Sequence, residues 1–148
     1  MKELILAMTL ALPQGPGHPV KVYFPVEVDY PPKVAAVVRN APTSGVARFA
    51  VEQFIAGPTK AERKKGLFSH LKLAGLSDCG GPDFKLTVKS GTARVRFCRT
   101  PYGPGHLADY AIKYSLERTL KQFPSIKKVV LANPDGTCAF SESGLPRC

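Results

Sequence analysis

The stretch Ala50-Val51-Glu52-Gln53-Phe54-Ile55-Ala56-Gly57-Pro58-Thr59 contains the end of a helix and the signal that stops it. Its apolar residues continue upstream to Ala47 with the spacing of one helical face. Thr43 or Ser44 supplies a cap for the first turn. The Gly57-Pro58 pair ends the helix, because glycine suits the turn after a helix and proline cannot continue one. The stretch therefore predicts an amphipathic helix that packs on a core and stops at this pair.

Two strands are predicted before this helix. Residues 20–24 alternate between apolar side chains and Lys21 or Tyr23, which is the period of a half-buried strand. The β-branched stretch from Lys33 to Arg39 lacks polar alternation. It is therefore predicted as a second strand that is buried on both faces and pairs beside the first.

Four segments are predicted after the helix. Residues 60–65 are charged and predict a solvated turn or a short helix, with a soluble loop as the preferred interpretation. Residues 84–89 and 92–97 alternate on either side of a Ser-Gly turn and predict a β-hairpin. The apolar stripe from Ala108 to Phe123 predicts a second helix, and residues 129–131 predict a last core strand. The element order β-β-α-β-β-α-β indicates one α+β domain.

The predicted hairpin gathers four cations on the face opposite its apolar side chains: Lys85, Lys89, Arg94 and Arg96. Like charges on neighbouring strands repel one another, and the chain as a whole has a formal net charge of +10. An anionic partner is therefore a candidate ligand for this face, and a solvated face is the alternative. Nucleic acid is not expected, because exposed aromatic side chains do not alternate with these cations.

The four cysteines lack the paired spacings of a zinc site: Cys79, Cys98, Cys138 and Cys148. Their even number predicts two disulfides, with free buried cysteines as the alternative. Since cytosolic thiols are kept reduced, disulfides predict an extracytoplasmic protein, either secreted, periplasmic or at the cell surface. Residues 1–17 resemble a short signal sequence or a disordered segment, with a first structural segment as the alternative. Their apolar run is too short to span a bilayer, so only peripheral membrane contact is expected.

No sequence pattern requires a catalyst. The three histidines lie in unrelated contexts without the spacing of metal ligands: His18, His70 and His106. An enzyme would need to gather distant acids in one cleft, such as Asp29, Asp83 and Asp109. We therefore expect no catalytic residue, no bound metal and no cofactor.

Five segments together resemble the GerMN domains of sporulation and spore germination proteins. They are residues 20–24 (VKVYF), 37–39 (VVR), 50–59 (AVEQFIAGPT), 116–126 (LERTLKQFPSI) and 128–131 (KVVL). The Gly-Pro-Thr ending of the first helix is the most specific of these marks. The resemblance covers the chain from Val20 to about Leu131.

The resemblance implies a small β-sheet with two helices packed on one face, as in the ring-building modules of envelope secretion assemblies. The basic hairpin is expected to extend or complete a three-stranded layer. The domain is assigned to residues 18–148, with a cysteine-containing tail over residues 133–148. Four cysteines allow three pairings. We pair Cys79 with Cys98 and Cys138 with Cys148, because each pair closes a short local loop.

GerMN domains are not identified by any catalytic residue, which implies a binding or packing role. The chain is therefore expected to be an exported, non-catalytic cell-envelope module that binds an envelope protein or associates with itself. Family members are often lipoproteins, whereas no cysteine follows the apolar run of this sequence, so a lipid anchor is not expected there. The alternative function is binding of an anionic cell-wall polymer or glycan through Lys85, Lys89, Arg94 and Arg96.

Overall fold

The computed structural model describes residues 17–141 and Cys148. The signal-like segment predicted for residues 1–17 therefore lies almost wholly outside the described residues. The elements, in chain order, are β1 (His18–Glu27), β2 (Lys33–Ala41), α1 (Val46–Ala56), α2 (Lys60–Lys64), β3 (Lys72–Ala74), β4 (Phe84–Lys89), β5 (Thr92–Phe97), β6 (Thr100–Tyr102), α3 (His106–Lys121) and β7 (Lys128–Ala132).

The strands of the described residues form three small sheets. Strands β1 and β2 are antiparallel, β3 pairs with β6, and β4, β5 and β7 form a three-stranded sheet. The predicted hairpin is confirmed as β4 and β5, while β7 returns parallel to β5 after the crossover through α3. The α+β class is thus confirmed, with the strands divided among separate sheets. The two short strands β3 and β6 have too few residues to give a periodic pattern, and the sequence did not predict them.

The core lies between the two long helices and the inner faces of the strands. Phe54 of α1 stacks on Phe24 of β1 with ring centroids 5.3 Å apart, and both residues are fully buried. Helix α3 contributes Ile112, Leu116 and Leu120 to the same cluster, spaced along the predicted apolar face. These side chains are the ones that the helical and strand periodicities assigned to the interior.

The first helix begins without the predicted side-chain cap. Helix α1 starts at Val46 after Gly45, and neither Thr43 nor Ser44 caps its free amide groups. The Thr43 hydroxyl instead accepts a hydrogen bond from the Gly45 backbone N–H at 3.3 Å. The hydroxyl therefore stabilises the turn before the helix.

The Gly57-Pro58-Thr59 sequence joins two helices. Gly57 ends α1 with φ 84°, a left-handed conformation that glycine adopts without strain. Thr59 then caps α2 in a capping box, in which its hydroxyl accepts the Glu62 N–H and the Glu62 carboxylate accepts the Thr59 N–H. The preferred interpretation of residues 60–65 as a loop was wrong, because this reciprocal cap supports one helical turn.

The two edges of the β1–β2 sheet differ. The outer edge of β1 is covered, since its Lys21 and Tyr23 N–H groups donate to the Gln122 and Thr119 side chains of the α3 region. Strand β2 was predicted to be buried on both faces, and this is wrong: it alternates, and Val38 is 63% exposed. Within residues 17–141, no strand other than β1 pairs with β2, so its second edge and its outer face are both open.

Part of the cysteine-containing tail after β7 belongs to the core. It turns back along β7, where the Ala139 N–H donates to the Leu131 carbonyl at 2.9 Å. Ala139 and Phe140 are buried, and the Phe140 ring meets Phe97 edge-on at 6.0 Å. Residues 142–147 lie outside the described residues.

Candidate functional site

The four predicted anion-binding cations lie on one face of the three-stranded sheet. Lys85 and Lys89 of β4 are exposed there, and Arg94 and Arg96 of β5 are half-buried. Lys85 is directly opposite Arg96, and Arg94 is opposite Thr87. The hairpin therefore brings the four cations together, as its alternation requires.

The two arginines are nevertheless engaged within the protein. The Arg96 guanidinium donates to both carboxylate oxygens of Asp78, at 2.6 and 3.3 Å, and to the Pro134 carbonyl at 3.2 Å. Arg94 donates to the Cys148 carbonyl at 3.1 Å. Asp78 thus offsets the repulsion expected between Lys85 and Arg96. The two lysines of this face, Lys85 and Lys89, have no hydrogen-bond partner among the described residues.

A third lysine joins this face through the parallel strand β7. The register pairs Lys128 with Thr92, which itself faces Lys89 across the hairpin. Lys89 and Lys128 therefore lie at the same end of the sheet, where Lys127 packs against the turn at Gly91. Lys128 was not predicted as part of this face, because it joins the hairpin only through the pairing of β7 with β5, which the linear pattern does not contain.

Both disulfides are present. Cys79 is joined to Cys98 across 19 residues, and Cys138 is joined to Cys148 across 10. The first tethers the loop before β4 to the buried end of β5, and the second tethers the chain end to the residues that follow β7. In the described part of the chain, one group of three potential metal ligands lies close together: Asp78, Cys79 and Cys98. The disulfide occupies both sulfur atoms of that group.

The histidines and acids considered for catalysis occupy separate places. His70 has φ 61° and its ring lies 4.4 Å from that of Phe68, beside an open groove of about 330 Å³. The neighbouring Ser69 hydroxyl accepts the Leu71 N–H at 3.2 Å. His18 begins β1, and His106 begins α3. These positions do not form a nucleophile and base pair.

The three acids likewise have different surroundings. Asp83 pairs with Arg99 at 3.4 Å, and Asp29 is exposed in the β1–β2 loop. Burial raises the pKa of the Asp109 carboxyl in the first turn of α3, while the Gly103 backbone and the charge of His106 act in the opposite direction. Burial raises the pKa of a carboxyl whatever its role, so the shift at Asp109 by itself assigns no reaction.

Within the described residues, no helix has both the length and the apolar composition needed to cross a membrane.

Comparisons with known proteins identify the fold. A sequence family described as "Germane: Sporulation and spore germination" matches residues 21–133. Comparison with curated protein sequences finds no significant match.

Two solved structures from Bacillus subtilis resemble the fold. The first GerMN domain of the sporulation protein GerM is 22% identical with a TM-score of 0.57, and the match covers 88% of this chain and 94% of that one. The tandem GerMN domains of the same protein give 19% identity and a TM-score of 0.54, with 88% of this chain and 43% of that one covered. The chain therefore spans less than half of the tandem protein and corresponds to one of its domains. At these identities, the two structures establish the fold alone.

Proposed function

Because the chain belongs to the Germane family of sporulation and spore germination domains, we propose that it is a non-catalytic module of the cell envelope that docks a protein partner or a second copy of itself. The open edge and outer face of β2 carry this proposal. An unpaired strand presents a row of N–H and C=O groups that another strand or loop can pair with. The two disulfides support a location outside the reducing cytoplasm.

The edge of β2 lacks the usual protection against pairing. Exposed lysines commonly block an edge strand, and β4 has two of them, Lys85 and Lys89. The two cations of β2 are instead engaged: Lys33 with Glu27 at 3.2 Å, and Arg39 with Glu62. The exposed side chains between these cations are Ala36 and Val38. An edge strand whose central exposed side chains are apolar favours docking of a partner.

The residues of β2 that face outward can be identified from β1. Because Lys21 and Tyr23 direct their N–H groups away from β2, the ladder bonds between the strands belong to the alternate residues of β1, such as Val22. Val22 is opposite Val37, so the backbone of Val37 forms hydrogen bonds with β1. The backbone N–H and C=O groups of the next residue, Val38, therefore point away from β1, toward the open edge. Val38 therefore offers both a side chain and backbone groups to a partner.

Replacing Val38 with lysine tests the proposal. The affinity of the variant for an envelope protein, or for a second copy of itself, is expected to be about tenfold weaker than that of the wild type. The reason is that an unpaired charge would be buried in the interface. Pull-down from envelope extract and light scattering measure the two forms of association. Val88→Lys is the matched control on β4, where Val88 is 45% exposed. Equal association of wild type and Val38→Lys, with folding intact by circular dichroism, contradicts the proposal.

A second candidate function is binding of an anionic cell-wall polymer. The specific observation in its favour is the group of three exposed lysines on the sheet face: Lys85, Lys89 and Lys128. Their charges have no carboxylate partner among the described residues, so a polyanion can neutralise them. Arg94 and Arg96 contribute less to this function because they already bind groups of the protein.

The polymer hypothesis is tested with the double variant Lys85→Glu/Lys89→Glu. We expect its retention on purified cell-wall material at low salt to fall about fivefold, and high salt to weaken the wild type similarly. The double variant Lys60→Glu/Lys64→Glu in α2 changes the net charge by the same amount and serves as control. If both double variants lose the same retention, the binding depends only on the net charge of the protein and not on this face. If Lys85→Glu/Lys89→Glu is retained as well as the wild type, the polymer hypothesis is wrong.

A further inference from the structure

An aromatic stripe runs along the exposed side of α3. It contains four of the five tyrosines of the chain: Tyr30, Tyr110, Tyr114 and Tyr23. The rings of Tyr30 and Tyr110 lie 5.2 Å apart, and those of Tyr110 and Tyr114 lie 6.4 Å apart. The guanidinium of Arg118 then lies 4.6 Å from the Tyr23 ring and 6.0 Å from the Tyr114 ring. The stripe connects the β1–β2 loop, α3 and the outer face of β1.

Arg118 differs from the other arginines of the described chain. Arg39, Arg48, Arg96 and Arg99 each bind a carboxylate, and Arg63 and Arg94 each bind a backbone carbonyl. Among residues 17–141, Arg118 is the arginine whose guanidinium donates no hydrogen bond to the protein. The side chain is exposed, so its donors are accessible to a ligand, and its contacts with the two tyrosine rings restrict its orientation.

We propose that Arg118 binds a carboxylate in an acidic segment of a partner protein. A guanidinium that already packs over an aromatic ring loses less conformational freedom on binding than a free one, and its fork of donors matches a carboxylate in a bidentate pair. This inference gives the partner chemistry for the docking function proposed above and rests on it.

The stripe is continuous with the open face of β2. Tyr23 is opposite Ala36, and Lys21 is opposite Val38, on the outer face of the β1–β2 sheet. Tyrosine and arginine are among the residues that contribute most to the energy of protein interfaces. The combined surface therefore offers an apolar patch at Val38 and a carboxylate-binding point at Arg118 to one partner.

The charge of the surface favours an acidic partner over a second copy. Arg118 and Lys21 are exposed and have no carboxylate partner among the described residues. In a two-fold dimer, this face would pack on the same cationic face of the second copy. The net charge of +10 adds to that repulsion. A glycan is disfavoured because neighbouring rings or Arg118 already cover faces of Tyr110, Tyr114 and Tyr23.

The test uses the purified full chain and a random copolymer of glutamate and tyrosine as the acidic probe. Biolayer interferometry measures its affinity for the wild type, Arg118→Gln and Arg118→Lys. We expect about tenfold weaker binding for Arg118→Gln and about fivefold weaker binding for Arg118→Lys, which keeps the charge but loses the bidentate fork. In the wild type, the Arg118 side-chain N–H signal should shift in nuclear magnetic resonance spectra.

Arg48→Gln is the matched control. Arg48 also lies over an aromatic ring, at 5.2 Å from that of Phe84, but it pairs with Glu52 at 2.9 Å. Its replacement is expected to change the affinity by less than about twofold. A glutamate–lysine copolymer of balanced charge should bind at least about tenfold more weakly than the acidic probe, since the interaction requires net negative charge.

Three outcomes overturn the inference: no binding of the acidic copolymer, equal losses in Arg118→Gln and Arg48→Gln, or an Arg118 dependence found only for self-association or cell-wall material. The docking function is judged separately with Val38→Lys. If Arg118→Gln still binds a defined partner and Val38→Lys does not, the docking function is supported and the proposed role of Arg118 is wrong.

Discussion

Replacing Phe54 with alanine is expected to lower the free energy of unfolding by about 3–5 kcal/mol, because a fully buried aromatic side chain leaves a cavity that the core cannot close. Phe54 stacks on Phe24 with an interplanar angle of 12°, and the pair joins α1 to β1. A loss of this size is a large share of the stability of an ordinary domain. Chemical denaturation followed by circular dichroism measures it.

Phe49→Ala provides the control in the same helix. Phe49 is only partly buried and packs on the smaller cluster of Val20, Ala41 and Ala50. We expect this replacement to cost about 1–2 kcal/mol, since solvent already reaches the ring and the site can relax. Equal losses for the two variants would mean that the Phe24–Phe54 stack is not the centre of the core.

The sequence allowed the helices and the hairpin to be predicted because their signals are local. Gly57 supplies a left-handed residue at a helix end, and the stripe from Ala108 to Leu120 has the period of a helix. The hairpin alternates strictly on both sides of its turn. In each case, the residues that give the pattern and the residues that cause the structure are close together in the sequence.

Features that depend on distant contacts were not predicted. Strand β2 consists of apolar and β-branched residues like a buried strand, yet its outer face is exposed because no layer of the described chain covers it. The engagement of Arg96 depends on Asp78, 18 residues away, and on Pro134, 38 residues away. The aromatic stripe likewise joins Tyr23 and Tyr30 to α3, far along the chain.

The Gly-Pro-Thr mark also has a structural meaning that the sequence alone did not give. Thr59 caps α2, and the same cap includes Glu62, whose carboxylate binds Arg39 of β2 at 2.5 and 2.7 Å. The Gly-Pro-Thr motif therefore positions α2, and α2 contacts β2 through the Glu62–Arg39 ion pair. Because β2 is the proposed docking strand, Gly57, Pro58 and Thr59 would position the binding surface without forming part of it.

Replacing Glu62 with glutamine is expected to lower the free energy of unfolding by about 2 kcal/mol at neutral pH. Glutamine can still complete the capping box, so the change removes mainly the charge that pairs with Arg39. The two side chains are 17% and 16% exposed, so solvent screens the pair less than a surface pair. Denaturation of both proteins at a series of pH values measures the difference.

The dependence on pH identifies the ion pair as the cause. The hydrogen bonds from Arg39 lower the pKa of the Glu62 carboxyl from 4.5 to about 2, so in this range the unfolded chain binds more protons than the native protein. The stabilisation is therefore complete above pH 4.5 and is lost as the pH falls through about 2. The difference between wild type and Glu62→Gln should narrow over the same interval. Glu52→Gln, which breaks an exposed pair with Arg48, should change stability by less than about 0.5 kcal/mol. A Glu62→Gln deficit that stays constant down to pH 2 would instead assign the loss to altered packing of α2 against β2.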